Sequence, residues 1–392
     1  MRVVLAACAG LLLSVGASAQ PREAVAIGFV TQHLKAPAPP SPLDLVPEDA
    51  GLQGARLGIA DNSTTGRFTG QEFRLEEAEI EDPSGARAAV QSLVGRGARL
   101  IVADVPAPAV EALAKAAEEA GAVVLNTRAP DDALRNEACR RSLFHVVPSR
   151  AMEADALAQY LITMRWPRWL LVVGGGPEDR HYADAVRAAA KRFGGKIVAE
   201  KTWTFEPGNP HADSGHVTLQ TEIPSFTRAP NHDVLIVADE GNVFGEYLPY
   251  RTALPRPVAG TQGLIATAWS PAFEQWGATQ LQSRFERQAK RPMTLRDYTA
   301  WLAVRAIGEA AIRTRSADVQ TIAAYMESPK FALAGFKGQP LSFRPRDRQL
   351  RQPVLVAGPR LVVSVSPQSG FLHEGSPLDS LGPDQGESRC RS

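Results

Sequence analysis

Apolar residues in this chain fall into short runs separated by stretches with helical spacing, and the two alternate almost from end to end. Val25 to Val30 is a compact apolar run that reads as a strand, and the Pro-rich Ala36 to Pro47 after it reads as a loop. A helix is expected from Pro47 to about Asn62, a strand from Phe73 to Ile80, a helix capped by Ser84 through Val94, and a strand from Leu100 to Ala103. Helix Ala107 to Ala120 and strands Ala122 to Leu125 and Leu143 to Val147 complete a first unit. The second half repeats the plan with helix Met152 to Met164, strand Trp169 to Val173, helix Tyr182 to Phe193 and strand Lys196 to Thr202. A loop from Phe205 to His216 then precedes a short helix and the buried strand Val234 to Ala238. Two amphipathic helices follow, about Pro271 to Lys290 and Thr294 to Thr314, the second started by a Thr294 cap. Leu341 to Val365 reads as strands, and the tail from Ser366, rich in Pro, Gly and Ser, is expected to hold little structure. This alternation favours parallel sheets with helices on both faces.

The first residues, MRVVLAACAGLLLSVGASAQ, follow a different logic. Arg2, an apolar stretch from Val3 to Val15, and Ala17-Ser18-Ala19 form a cleavable export signal, with the mature chain starting near Gln20. Leu5-Ala6-Ala7-Cys8 matches a lipoprotein box only superficially, because four residues leave no room for a basic region and an apolar core ahead of it. No later segment approaches the roughly 20 apolar residues of a membrane span. The 373 residues left after removing 19 from 392 exceed what one core usually organises, so two lobes are expected. A formal net charge of +1 gives no electrostatic footprint for nucleic acid. Beyond the signal only Cys139 and Cys390 remain, allowing at most one disulfide in an oxidising compartment, and the sequence leaves their pairing open.

Catalytic and metal motifs fail when tested. Gly174-Gly175-Gly176 follows a strand, yet Asp179 occupies the third glycine position of a dinucleotide fingerprint, so a tight strand-to-helix turn is the better reading. There is no P-loop, no HExxH and no nucleophile elbow, and the chain is not expected to be an enzyme. His211, Asp213 and His216 share one loop without a further His or Cys at ligand spacing, so no metal is assigned.

The stretches VADVPAPAV, PDDALRNEACR, HVVPSRAMEADALAQYL, VADEGNVFGEYLPYRT, WGATQLQSRFERQAKRPMTLRDYTAW and LAGFKGQPLSFRPRDRQLRQPV resemble the periplasmic substrate-binding proteins of ABC transporters. More narrowly, they are similar to the subfamily associated with alcohol oxidation dependent on pyrroloquinoline quinone (PQQ). The resemblance covers nearly the whole mature chain. It implies a type I periplasmic-binding fold, an α/β architecture of two doubly wound parallel-sheet lobes joined by three crossovers and closing over a ligand. The first lobe would comprise about 24–147 plus 270–327 and the second about 148–265 plus 328–366, with a flexible tail over 367–392. The crossovers would lie near Pro148, Gln262 to Ala268, and Ser328. The resemblance also implies a monomer in the periplasm that hands its ligand to an ABC permease. The run Arg284, Arg287, Lys290, Arg291 reads as a solvated helix face, or as a dock for a transporter subunit.

Ligands of open α/β sheets gather beyond the carboxyl ends of the strands. That rule selects Asp104, Asn126 and Arg128 in the first lobe, Arg150 at the first crossover, and Arg180, His181, Trp203, Asp239 and Glu240 in the second. Trp269 lies near the second crossover, and Tyr247, Tyr250 and Arg251 come from the YLPYR segment. In amino-acid-binding relatives, hydroxyls and backbone amides after the third and fourth strands hold the carboxylate. Here that loop is Asp104-Val105-Pro106-Ala107-Pro108-Ala109, without Ser or Thr and with prolines in place of amide donors. A planar polycarboxylate is the alternative, with Arg128, Arg150, Arg180 and Arg251 as guanidinium forks and Trp203 and Trp269 as stacking faces. PQQ, a flat tricarboxylate, fits that description as ligand rather than catalytic cofactor. The leading reading is therefore a periplasmic receptor of an ABC importer for PQQ or a related carboxylated compound; the alternatives are an accessory protein that loads a periplasmic PQQ dehydrogenase and a branched-chain amino acid receptor.

Overall fold

The computed structural model describes residues 23–32, 34, 47–204 and 221–390. The export signal, most of the Pro-rich loop, and the loop carrying His211, Asp213 and His216 lie outside the described residues. Two sheets built on one strand order organise the rest. In the first, β1 (Glu23–Gln32), β2 (Gln71–Ile80), β3 (Leu100–Asp104), β4 (Val123–Asn126) and β5 (Leu143–His145) run parallel in the order β2-β1-β3-β4-β5. In the second, β6 (Arg168–Val173), β7 (Lys196–Thr202), β8 (Val234–Ala238), β9 (Val258–Gly260) and β10 (Leu264–Thr267) repeat that arrangement as β7-β6-β8-β9-β10. Two antiparallel strands, β13 (Val354–Ala357) and β14 (Val362–Ser366), extend the second sheet beyond β10. The central strands are apolar through their middles, Val25 to Val30 in β1, Leu100 to Ala103 in β3 and all of β8, because both of their faces are covered there. The edge strands β2 and β7 carry charges on their open faces, which discourages pairing with another chain.

Alternate residues of each strand feed different cores. Val25, Ile27 and Phe29 of β1 pack with α1 (Leu52–Thr69), α6 (Ala278–Ala289), α7 (Leu295–Thr314) and α8 (Val319–Glu327). Ala26 and Val30 face α2 (Ala86–Gly95) and α3 (Ala107–Ala120) on the other side. In the second lobe Trp169, Leu171 and Val173 pack beneath α4 (Arg150–Thr163) and α5 (Pro177–Phe193), while Leu170 and Val172 meet Trp203, Phe244 and Leu248. No helix among the described residues is long and apolar enough to cross a membrane.

Three expectations are corrected. The turn into α2 is capped by Asp82, whose carboxylate accepts the Ser84 N–H at 2.7 Å, so the acid two residues earlier takes the role assigned to Ser84. The chain does not pass to the second lobe at Ser328. Phe331, Leu333, Leu341, Phe343 and Leu350 are buried in the first lobe's core, and residue 349 bridges to His145 beside β5. The hairpin β11 (Ser342–Phe343) and β12 (Leu350–Arg351) belongs to this detour, and the chain joins the second sheet only at β13.

The tail is the third. Leu378 and Leu381 are buried, the latter in the second lobe's core, and Asp379 accepts hydrogen bonds from Arg344 and Arg351, each at 2.8 Å. Asp155 accepts the Gly382 N–H, and Arg192 reaches both Asp155 and the Gly382 carbonyl. The tail then ends in a disulfide between Cys390 and Cys139 of the first lobe. Its polar composition concealed a segment that satisfies its backbone with side chains of both lobes.

Candidate functional site

The carboxyl ends of β4, β5, β8, β9 and β10 face one another across the gap between the lobes. There they enclose a cavity of about 330 Å³ lined by residues of both lobes. The first lobe contributes Arg128, Pro130, Val147 and Leu295; the second contributes Glu153, Tyr182, Asp239, Glu240, Gly260 to Gln262 and Ile265 to Thr267. That size suits a small solute. Gly260 brings the backbone close: its φ is +121°, and a Cβ there would stand 2.1 Å from the Val237 carbonyl oxygen.

Asn126 builds the loop that carries Arg128. Its side-chain oxygen accepts the N–H groups of Arg128 and Ala129, and its amide donates to the Ala129 carbonyl. The loop aims the Arg128 guanidinium toward the cavity, where its one hydrogen bond is a long 3.4 Å contact to the Gln32 carbonyl and no ion pair forms among the described residues. Burial, then the neighbouring Arg296 cation, lower its pKa, while Asp104 works the other way. Asp104 itself is consumed: fully buried, it accepts Arg296 through both carboxylate oxygens at 2.6 to 3.2 Å.

Arg150 meets the opposite circumstance. Ser149 caps α4 by accepting the Met152 N–H, which places Arg150 in the first turn beneath the cleft. Its guanidinium contacts Asp131 at 2.9 Å, Glu178 at 2.7 Å and Glu240 in a fork at 2.6 and 2.8 Å. Burial opposes its charge, but Glu240 and Asp131 overcome that and raise its pKa. Arg150 therefore fastens the first-lobe loop at Asp131 to two acids of the second lobe and has no fork left for a ligand.

The other sequence candidates divide the same way. Asp239 holds the loop after β8, its two oxygens accepting the N–H groups of Val243, Phe244 and Gly245. Trp203 lies stacked on Phe244 with ring centroids 4.6 Å apart, and Trp269 lies stacked on Tyr298 at the same separation while donating its indole N–H to Met293. Both indoles are core residues. Arg180 is exposed and turns back to the Gly175 carbonyl, and His181 is exposed beside Glu178 at 3.5 Å. Tyr250 and Arg251 are exposed and do not line the cavity; Tyr247 packs against Trp203's cluster. Of the thirteen candidates, only Arg128, Asp239 and Glu240 reach the interlobe cavity. Asp131, Glu178 and His181 also bring ligand atoms within 4.8 Å of one another, but Arg150 already occupies both carboxylates.

Glu153 and Tyr182 were missed. Glu153 reads in the sequence as an acid in the first turns of a helix, a position that ordinarily answers the helix dipole. In the structure its carboxyl lines the cavity with no hydrogen bond or ion pair among the described residues, and burial, then Glu240, push its pKa up to about 8. Tyr182 is buried in the core of α5 and its pKa is raised by burial, then by Glu153 and Glu240. A second cavity, about 560 Å³, lies within the second lobe alone between the Gly174-Gly175-Gly176 turn and Phe244. It draws on one lobe only, so closure of the two lobes does not build it.

Comparison with known proteins places this geometry. Residues 46–212 match the family model described as periplasmic binding protein. A branched-chain amino acid ABC transporter periplasmic ligand-binding protein from Burkholderia xenovorans LB400 superposes with a TM-score of 0.72 at 16% identity, covering 94% of this chain and 99% of that one. The fold is that of type I periplasmic binding proteins. A leucine-, isoleucine-, valine-, threonine- and alanine-binding protein from Brucella ovis in its closed conformation gives 0.71 at 15% identity, with coverage of 94% and 99%. A solute-binding protein of an R. palustris ABC transporter in complex with benzoate gives 0.64 at 14% identity, with coverage of 94% and 100%. No curated protein sequence matches the chain.

Proposed function

We propose that this chain is a periplasmic receptor of an ABC importer, and that it captures a small solute carrying a carboxylate in the interlobe cavity. The observation that carries this reading is Arg128: a cation held at the cleft wall, partly stripped of water and without a carboxylate of its own. A guanidinium so placed gains most from an incoming carboxylate, because the ligand repays a desolvation cost already incurred. The opposite wall is acidic, with Glu153, Asp239 and Glu240. A zwitterion of amino-acid type matches both walls, and the amino acid receptors among the structural neighbours agree with it.

The resemblance to the PQQ-associated subfamily points to another ligand. PQQ brings three carboxylates and no ammonium, and the cavity meets them with one unpaired guanidinium and an acidic wall. The Arg150, Trp203 and Trp269 contacts that favoured PQQ from the sequence are spent inside the protein. The deciding experiment is calorimetric titration of refolded, ligand-stripped mature protein with the twenty L-amino acids, benzoate and PQQ in turn. Saturable binding of a carboxylated probe is expected, and Arg128→Ala should weaken it by roughly 2 to 4 kcal/mol. Unchanged affinity in Arg128→Ala would remove this residue from the site. A pull-down from periplasm that recovered a PQQ dehydrogenase and no permease would favour the accessory-protein reading instead.

A further inference from the structure

The acidic wall of the cavity is not uniform. Asp239 is saturated by three backbone N–H groups, and Glu240 is forked onto Arg150. Glu153, one turn along α4 from Arg150, makes neither kind of contact, although it lines the same cavity. The Tyr182 hydroxyl, on the same wall, donates to no acceptor among the described residues. Two polar groups thus line the solute space with their hydrogen-bonding capacity unspent among the described residues, free to meet a ligand's polar group.

Resting on the receptor reading above, we propose that Glu153, assisted by Tyr182, is the acceptor for a cationic amino group on the ligand, and that binding ionises the Glu153 carboxyl and releases its proton to solvent. Asp239 and Glu240, the acids at the end of β8, are the alternatives for an ammonium on this wall, but both are already committed. Glu240 after β8, Arg150 in α4, and Asp132 and Arg135 in the loop after β4 act on the Glu153 carboxyl, and Asp239 after β8, Tyr182 in α5 and Arg128 from the other lobe share its cavity. Burial first, then Glu240 and Asp132, favour the protonated Glu153 carboxyl, and Arg150 and Arg135 oppose them without prevailing. An ammonium supplies the missing positive charge. The ligand arrives as RNH3+, the carboxyl O–H bond breaks, and the proton leaves to buffer, so charge balances with no other reactant.

The test is proton counting. Wild-type mature protein is titrated at pH 7 with each of the twenty L-amino acids and with benzoate, in buffers of different ionisation enthalpy. Release of about 0.9 proton per amino acid bound is expected from a group titrating near 8. Affinity should rise as pH is raised from 6 toward 8. Glu153→Gln should lower affinity at least 10-fold and abolish the release, while Tyr182→Phe should lower affinity and keep it. An amino acid that binds with no proton exchange overturns the proposal and leaves the receptor reading intact, as does binding of benzoate without any amino acid. If neither these probes nor PQQ bind at millimolar concentration, the receptor reading itself falls and takes the proposal with it. The wild-type proton count decides even where Glu153→Gln fails to fold.

Discussion

The two walls of the cleft use arginine in opposite ways. On the first-lobe side Arg128 faces the cavity with a single long contact to a carbonyl; at the crossover Arg150 is enclosed by Asp131, Glu178 and Glu240. Both follow strands, both point toward the gap, and residue type does not separate them. What separates them is whether the fold supplies the counter-charge. A cation satisfied by three carboxylates is a structural fastener, whereas one left with a carbonyl is a place for something to bind.

Removing each arginine should therefore break different properties. Arg150→Ala leaves three carboxylates converging on an empty position and repelling one another. It should cost about 3 to 5 kcal/mol of stability, the range for removing one partner of a buried charge cluster. Thermal unfolding would report it, and a midpoint equal to wild type would show that the acids relax into solvent. Arg128→Ala should leave that midpoint unchanged or slightly raised, since it removes an unpaired, partly desolvated charge, while abolishing most ligand affinity. If the two variants behaved alike, the distinction between fastener and binding group would collapse.

The disulfide adds a tie on the fastened side. Residues 376–387 attach to the second lobe through Gly382 and Glu387 and to the first-lobe β11–β12 detour through Asp379, and Cys390 joins the first lobe at Cys139. Cys390→Ser should lower stability by about 2 to 4 kcal/mol through the entropy returned to a long loop in the unfolded chain. Denaturant unfolding with and without reductant would measure it. Equal midpoints in wild type and variant would mean that the tail's other contacts carry the attachment alone.

How much of this was legible beforehand follows the range of the interactions. Strand and helix patterns depend on residues a few positions apart, and α3, β7 and β8 occur where periodicity put them. The repeated alternation announced parallel sheets with covered faces, but the order of their strands came only with the fold. The site was legible only as a neighbourhood, because a side chain's availability depends on partners far along the chain. Arg150 meets Glu178 across 28 residues and Glu240 across 90, and no local pattern announces either pairing. Trp269 owes its role to Met293 and Tyr298, again through tertiary packing. Glu153 was hidden for the converse reason: its local setting gave it an ordinary explanation, and the absence of a partner shows only in three dimensions.

On the acidic wall the comparison predicts a pH signature in the unliganded protein. Glu153 titrates near 8 when folded and at the ordinary glutamate value of 4.5 when unfolded, so the folded state binds more protons between those limits. Its contribution to stability is full below about 4.5 and is lost as pH rises through 8. Asp155, raised to about 7 by burial, adds a slope of the same sign over a lower window. Glu153→Gln should flatten the upper part of this decline and make the unliganded protein more stable than wild type at pH 8. Unfolding midpoints measured from pH 5 to 8 would detect it, and parallel curves for variant and wild type would show that the carboxyl is ionised throughout.

The smallest expected effect tests whether an unpaired buried charge by itself marks a ligand group. Lys337 lies in the first lobe, buried, with its ammonium donating to the Pro353 carbonyl at 2.8 Å and 5.3 Å from the centre of the Tyr298 ring. Burial lowers its pKa to about 7, from 10.5 in an unfolded chain, so the unfolded state binds more protons between those values and this group makes stability rise with pH from 7 to about 10.5. Unlike Arg128 and Glu153, it lines no interlobe space. Lys337→Met keeps the volume, gives up one hydrogen bond and removes a desolvation cost. The two changes should nearly cancel at pH 7, within about 1 kcal/mol, and the variant should lose the upward slope above pH 7. Ligand affinity should not change. A loss of affinity in this variant would mean that buried charge acts on the cleft at a distance, and that cavity lining is too narrow a criterion for choosing the groups that bind.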